Sequence, residues 1–473
     1  MKIRMSVPRA IRRWEESRAA AVRVDYRLFS WLRGGKITSP TRPRFGGGQK
    51  TRLIARRLTV LAGVTLTLPF LASTASAGTT PAPIRVPFSA IHASTTTVGG
   101  AKPLPTTRTV AHWFGTALNP DNGVTYGFNM VGADPSLEKS TTITTDIVPV
   151  NVVIGGQTFS GSDVVQPTLD SPVFTSNDYT STPFATGADG GVTSGGALSS
   201  GNTSNQLEDA TMRSQFNKQG TSYHVLLRPV VHDPVTIVVP SGKGTLLQTP
   251  DGVVAGDVNV TWWASRIQNL DNSLSFNDPT HLPVYLTNNV MLFTGTDPTN
   301  CCVFGFHGAG EVVGRGTGSG NGNGKQPVQT FAWATYVTPG FFDPATAWAL
   351  QDIHGLSHEI SEWADDPFIN NTVEPWLTPT APQYGCTNVM ETGDPVVGIG
   401  FAKGTNTFEQ GPTPNGTQVA DGYYHPEDEA FMPWFMRLNP STSQAVQAGT
   451  GGRYTLMGSL NPFPGFKMPA TGC

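Results

Sequence analysis

Apolar positions along this chain change their spacing several times, and each change marks a different kind of element. An uninterrupted apolar run without charge extends from Leu58 to Ala72. Farther on, short β-branched runs recur at Asp146–Ile154, Tyr223–Val230, Val235–Val239 and Leu282–Thr287. Gly155-Gly156, Asp189-Gly190 and Asp251-Gly252 separate them as turn signals, so the runs predict strands. Leu207, Ala210, Met212 and Phe216 give one helix near Gln206–Lys218. The strongest helical period comes later, where Ala349, Ile353, Leu356, Ile360 and Trp363 share one face. Asp343 and Pro344 suit the first turn of that helix, and Pro367 ends it.

The first apolar run reads as an export leader. Lys50, Arg52, Arg56 and Arg57 precede it, and Ala75-Ser76-Ala77 follows as a small-x-small cleavage signal near Ala77. A membrane span needs about 20 apolar residues, which makes an uncleaved anchor the lesser alternative. No other segment is long and apolar enough to span a bilayer once the leader is removed. The basic residues 1–49 suggest a start site placed too far upstream or a long n-region. The expected location is therefore secreted, extracellular or periplasmic.

Removing the leader changes the charge. Residues 1–57 hold 16 of the 31 Lys and Arg but only three of the 34 acids, which leaves 15 basic and 31 acidic residues, a net of −16. Such a surface repels phosphate, so nucleic acid and anionic membranes are unsuitable partners. An extracellular substrate or a cell-wall ligand is the expected partner. The chain divides into residues 1–77 (extension and leader), 78–110 (a Thr/Pro/Gly-rich linker), 111–300 (strand-rich) and 301–473 (the region with candidate metal ligands). Gly187–Asn205 and Gly314–Lys325 are Gly-rich and read as surface loops. Four cysteines, Cys301, Cys302, Cys386 and Cys473, imply two disulfides outside the cytoplasm, with Cys301 and Cys302 each expected to pair with Cys386 or Cys473.

On the late helix His354, His358, Glu362 and Asp366 recur four residues apart. Neighbours at that spacing lie on one face about 6 Å apart along the axis, so His358 and Glu362 can reach one metal ion. Glu359 follows His358 as the general base follows the first ligand in H-E-x-x-H metallopeptidases, here with a carboxylate in place of the second imidazole. A surface ion pair is the bland alternative. Glu391, in Glu391-Thr392-Gly393-Asp394, is the preferred third ligand, which leaves a position for water. Asp394, His354, Asp366 and His425 are possible substitutes, and His307 is as open as His425 between ligand and loop histidine. No G-x-S-x-G elbow and no dinucleotide fingerprint occurs.

The strings CCVFGFHGAG (301–310), QTFAWATYV (329–337), LSHEISEWADDPFINN (356–371), ETGDP (391–395) and YYHPEDEAFMPWF (423–435) resemble a family of secreted bacterial proteins. More distantly they resemble the plant phosphate-induced, EXORDIUM-type extracellular proteins, which carry a similar S-H-E-x-x-E string. The likeness covers most of residues 140–473. It implies an extracellular protein with a zincin-like helix. The expected fold is α+β, a strand-rich N-terminal part followed by a zincin-like C-terminal part with one long motif helix. The expected function is a zinc-dependent, peptidase-like hydrolase with His358, Glu362 and Glu391 on the metal and Glu359 as base. The rival is a non-catalytic extracellular or cell-wall-associated binding protein with a structural metal, such as calcium, or none.

Overall fold

A computed structural model describes residues 99–104, 108–179, 204–249, 252–312, 326–338, 340–341, 352–377, 386–397, 399–408, 421–438 and 454–456. The leader with its cleavage site, Asp343, Pro344, the loop Gly314–Lys325, the loop Gly187–Asn205 apart from Ser204 and Asn205, and Cys473 lie outside these residues. The described chain is a strand-rich α+β structure. No described helix is long and apolar enough to cross a membrane.

Strands β1 (Gly99–Gly100), β2 (His112–Leu118) and β3 (Thr125–Val131) form a small sheet in the order β1-β3-β2. The long strand β4 (Ser140–Ile154) then buries Ile143, Ile147, Val148, Val150 and Val152. Gly155 and Gly156, both at positive φ, turn it into β5 (Gln157–Phe159), the conformation that favours glycine at such a hairpin. Helices α1 (Val165–Asp170) and α2 (Leu207–Gln215) lead to β6 (His224–Val231) and β7 (Val235–Val238), which pair side by side with successive parts of β4. Next come β8 (Gly244–Gln248), β9 (Val254–Asn259), α3 (Val260–Ser273), β10 (Leu282–Asn288), β11 (Val290–Phe293) and β12 (Cys301–Val303). The chain continues through β13 (Gly305–Glu311), β14 (Val328–Tyr336), α4 (His354–Asp365), β15 (Thr372–Leu377) and β16 (Cys386–Val389). It closes with β17 (Lys403–Thr405), β18 (Tyr423–Tyr424) and α5 (Met432–Phe435).

The central sheet has seven strands and runs β13-β14-β10-β4-β5, with β6 and β7 also on β4. Strands β14, β10 and β4 are parallel, and β13 runs antiparallel beside β14. This sheet takes strands from both sides of residue 300, so the strand-rich region and the motif region share one core. The pleat sends alternate residues of β14 to opposite faces. Ala332, Ala334 and Tyr336 pack with Leu356, Ile360, Trp363 and Ala364 of α4. Phe331 and Trp333 pack on the other face with Trp263 and Ile267 of α3. Trp363 Nε1 donates to Thr330 Oγ1 at 2.9 Å, which fixes the rotation of α4 on the sheet.

Three expectations need correction. The strand-rich region holds further helices besides α2, notably α3, which the sequence reading missed. Asn259 caps it by accepting the Trp262 N–H, and Trp263 and Ile267 bury its apolar face. The Val260, Trp262 and Trp263 run is rich in strand-favouring residues, and tertiary packing overrides that preference. The motif helix starts at His354, and 342–351 lie outside the described residues. Cys301 and Cys302 form a vicinal pair with each other and not with distant cysteines. Both lie in the β12 core region with Phe293 and Val337, whereas Cys386, also disulfide-bonded, belongs to the separate β15–β16 ladder.

Asp257 lies buried in β9, and neither carboxylate oxygen has a hydrogen-bond partner. Burial pushes its pKa up to about 9, against about 3.9 for an unfolded carboxyl. The folded state thus binds the extra proton, and stability falls as pH rises from about 4 to about 9. Asp257→Asn is expected to flatten that decline and to raise Tm at pH 7 by about 2 °C or more. Thermal denaturation followed across pH checks this, and the two proteins should converge near pH 4.

Candidate metal centre

Helix α4 and strand β13 bring the candidate ligands together from opposite sides. The four-residue period of α4 stacks His354, His358 and Glu362 on one face. On β13, His307 stands opposite Ala332 in the antiparallel register. It therefore points to the face of the sheet that α4 covers, while its neighbour Phe306 points into the other core. Two glycines allow the close approach. A Cβ on Gly305 overlaps the Glu359 side chain, and one on Gly393 overlaps the His358 imidazole.

The cluster is buried: Glu362 is 1% exposed, Glu359 2%, His307 4%, His358 5% and Glu391 6%. His358 Nε2 lies 3.0 Å from Glu362 Oε1, yet neither atom has a partner in hydrogen-bonding geometry. His358 Nδ1 is 2.8 Å from Glu427 Oε2, an oxygen that also lies 2.6 Å from His354 Nε2. The Glu427 N–H donates to Ser357 Oγ, and Ser357 Oγ donates to the His354 carbonyl. Glu427 is thereby locked to α4, and it turns the His358 ring so that Nε2 faces Glu362. On the other side His307 Nδ1 is 3.2 Å from Glu359 Oε2 and 3.6 Å from Glu362 Oε2.

Two triads of potential ligand atoms result, each with all atoms within 4.8 Å of one another: His358, Glu359 and Glu362, and His307, Glu362 and Glu391. Glu362 belongs to both. The expected ligands His358, Glu362 and Glu391 are thus all present, but Glu391 groups with His307 and not with His358. Asp394 Oδ1 is 3.9 Å from His358 Nε2, at the margin. His354 is engaged with Glu427. Asp366 Oδ1 accepts the Asn370 and Asn371 N–H groups and closes the end of the helix. The His425 N–H donates to Asp352 Oδ1, which also accepts the Ile353 N–H, so this pair fastens the start of α4.

Charge in the cluster is strained by burial. Burial pushes the Glu362 carboxyl up to about 7 although His358 pulls it down. Burial and the Glu362 charge hold Glu391 well above the carboxylate range. Burial disfavours the charged His358 ring, but Glu362 and Glu427 outweigh it and raise its pKa. Burial also raises Glu429 well above its usual value, and neither of its carboxylate oxygens has a partner.

Sequence reasoning left His307 undecided and did not single out Glu427. The only signal for His307 was its place in an apolar strand, where an imidazole must face something polar. Glu427 lies 69 residues from His358, beyond any local period. Comparison with known protein families, with curated proteins and with solved structures finds no match.

Gly305→Ala and Gly393→Ala are each expected to destabilise the protein by about 1–3 kcal/mol through overpacking against the cluster. Gly156→Ala faces open space and serves as a control for backbone strain alone. Chemical denaturation measures all three, and Gly305→Ala and Gly393→Ala variants that cost well under ~1 kcal/mol contradict the close approach.

Proposed function

We propose that this chain is a secreted, zinc-dependent hydrolase of the peptidase-like kind, built on a zincin-like H-E-x-x-E helix. The observation that carries it is the buried pair His358 Nε2 and Glu362 Oε1, in ion-pair contact 3.0 Å apart but outside hydrogen-bond alignment. Two lone-pair donors at that separation, out of hydrogen-bond alignment, suit ligands that converge on one cation. An imidazole in the set favours zinc over calcium, which takes oxygen ligands. Glu427 on the far ring nitrogen is the carboxylate that typically orients a metal-binding histidine. Glu391 and His307 form a second group of potential ligand atoms with the same Glu362.

Bound zinc supplies Lewis acidity and a water of lowered pKa. Glu359 stands beside His358 and Glu362, where it would serve as general base. His307, 3.2 Å from Glu359, holds its carboxylate in place. The leader pattern before Ala77 and the acidic remainder support action outside the cytoplasm. The resemblance to secreted S-H-E-x-x-E proteins agrees with it.

One observation favours the non-catalytic alternative. Every proposed ligand and the base are buried, as suits a structural cation in an extracellular or cell-wall-binding protein. Glu359→Gln separates the two. The hydrolase reading expects peptide-library turnover to fall by about 10²- to 10⁴-fold while zinc content and Tm hold. The structural reading expects Glu359→Gln to change nothing. Zinc is expected in the purified wild type and absent from the His358→Ala/Glu362→Ala double variant; wild type without zinc contradicts the proposal.

The pH dependence has a fixed sign. A cation displaces the protons that burial places on Glu362, whose pKa stands at about 7. Zinc affinity is expected to weaken as pH falls through about 7, with proton release on binding. Calorimetry in buffers of different ionisation enthalpy checks this.

A further inference from the structure

The two triads share Glu362 in a particular way. Its Oε1 faces His358 Nε2 at 3.0 Å, and its Oε2 faces His307 Nδ1 at 3.6 Å. Each oxygen of one carboxylate thus belongs to a different imidazole. Glu359 lies with the first group, and Glu391 with the second. Asp394 Oδ1 stands 3.9 Å from His358 Nε2, within reach of the first group after a small shift.

We propose that the centre is dinuclear, with the Glu362 carboxylate bridging two divalent cations. One cation takes His358 Nε2 and Glu362 Oε1, with Glu359 and Asp394 beside it. The second takes His307, Glu362 Oε2 and Glu391. This inference rests on the metal-dependent reading above and extends it from one ion to two.

Charge supports the pair of ions independently of the spacing. Among the described residues no Lys or Arg forms an ion pair with Glu359, Glu362 or Glu391. The salt bridges of Arg108, Lys218 and Arg437 go to Asp278, Glu138 and Glu374. The imidazoles that face Glu359 and Glu362 are those of His307 and His358, and as metal ligands they would be neutral. One dication among Glu359, Glu362 and Glu391 would then leave a surplus of negative charge in a buried site, which is costly, and a second would remove it. Cations about 3.5–4 Å apart are the usual spacing of two-metal hydrolytic sites, and a bridging carboxylate spans it. A second ion would take His307 Nδ1 away from Glu359 and turn this residue from a positioning group into a ligand.

The test uses the full secreted chain, stripped of metal with a chelator and titrated with Zn²⁺ alone. The expected stoichiometry is two equivalents for wild type and one for His307→Ala. Glu391→Gln, a closer isostere, is expected to give one equivalent as well and guards against misfolding in the His307 variant. Loading with Co²⁺ adds a readout of the bridge: the two high-spin ions should couple magnetically in wild type and give an isolated-ion spectrum in either variant. A single equivalent in wild type overturns the dinuclear centre but leaves the metal-dependent reading standing. Two equivalents that persist in both variants also overturn it. No tight zinc in wild type overturns both.

Discussion

A carboxylate held out of water between two imidazoles is the constraint on which the rest of this structure depends. Glu362 is buried on α4 with His358 on one oxygen and His307 on the other. Glu359 and Glu391 crowd the same space. An unpaired charge in such a place costs several kcal/mol, so the protein must protonate these acids or supply cations. The described Lys and Arg residues make their ion pairs elsewhere, and the acids themselves shift toward the neutral form. The proposed divalent ion would resolve the same conflict with the groups left charged. Folding and metal binding would then be coupled, because a cluster that destabilises the empty protein would stabilise the loaded one.

The scaffold makes that conflict possible by being rigid on both sides. Trp363 bonded to Thr330 fixes how α4 lies on the sheet, and the antiparallel register of β13 on β14 fixes where His307 points. Gly305 and Gly393 let backbone approach the cluster where any side chain would collide with Glu359 or His358. Glu427, Ser357 and His354 then hold the His358 ring from behind. Asp352 and His425 anchor one end of the helix, and Asp366 the other.

Local periods were legible in the sequence, and contacts between distant segments were not. The four-residue repeat on α4 singled out His358 and Glu362 because helix geometry alone places them together, and Glu359 stood out by its place after His358 in the H-E-x-x-E string. Strands β4, β6, β7 and β10 of the central sheet showed in their β-branched runs, whereas β5, β13 and β14 did not, and α2 showed in its apolar face. By contrast, His307 reaches Glu362 only through the β13–β14 register, and Glu391 joins them from beyond β16, far from both in sequence. Glu427 meets His358 across 69 residues of chain. Helix α3 was missed because Val260, Trp262 and Trp263 carry strand preference that packing against Trp333 overrides. The expectation that Cys301 and Cys302 each pair with a distant cysteine gives way to their pairing with each other.

The most direct measurement is anomalous diffraction at the zinc edge from crystals of the metal-replete protein. Anomalous density bonded to both His358 Nε2 and Glu362 Oε1, at about 2.0–2.2 Å, is the expected result. Crystals grown with zinc that show no anomalous density there, and in which His358 Nε2 instead donates a direct hydrogen bond to Glu362, contradict the account at its centre.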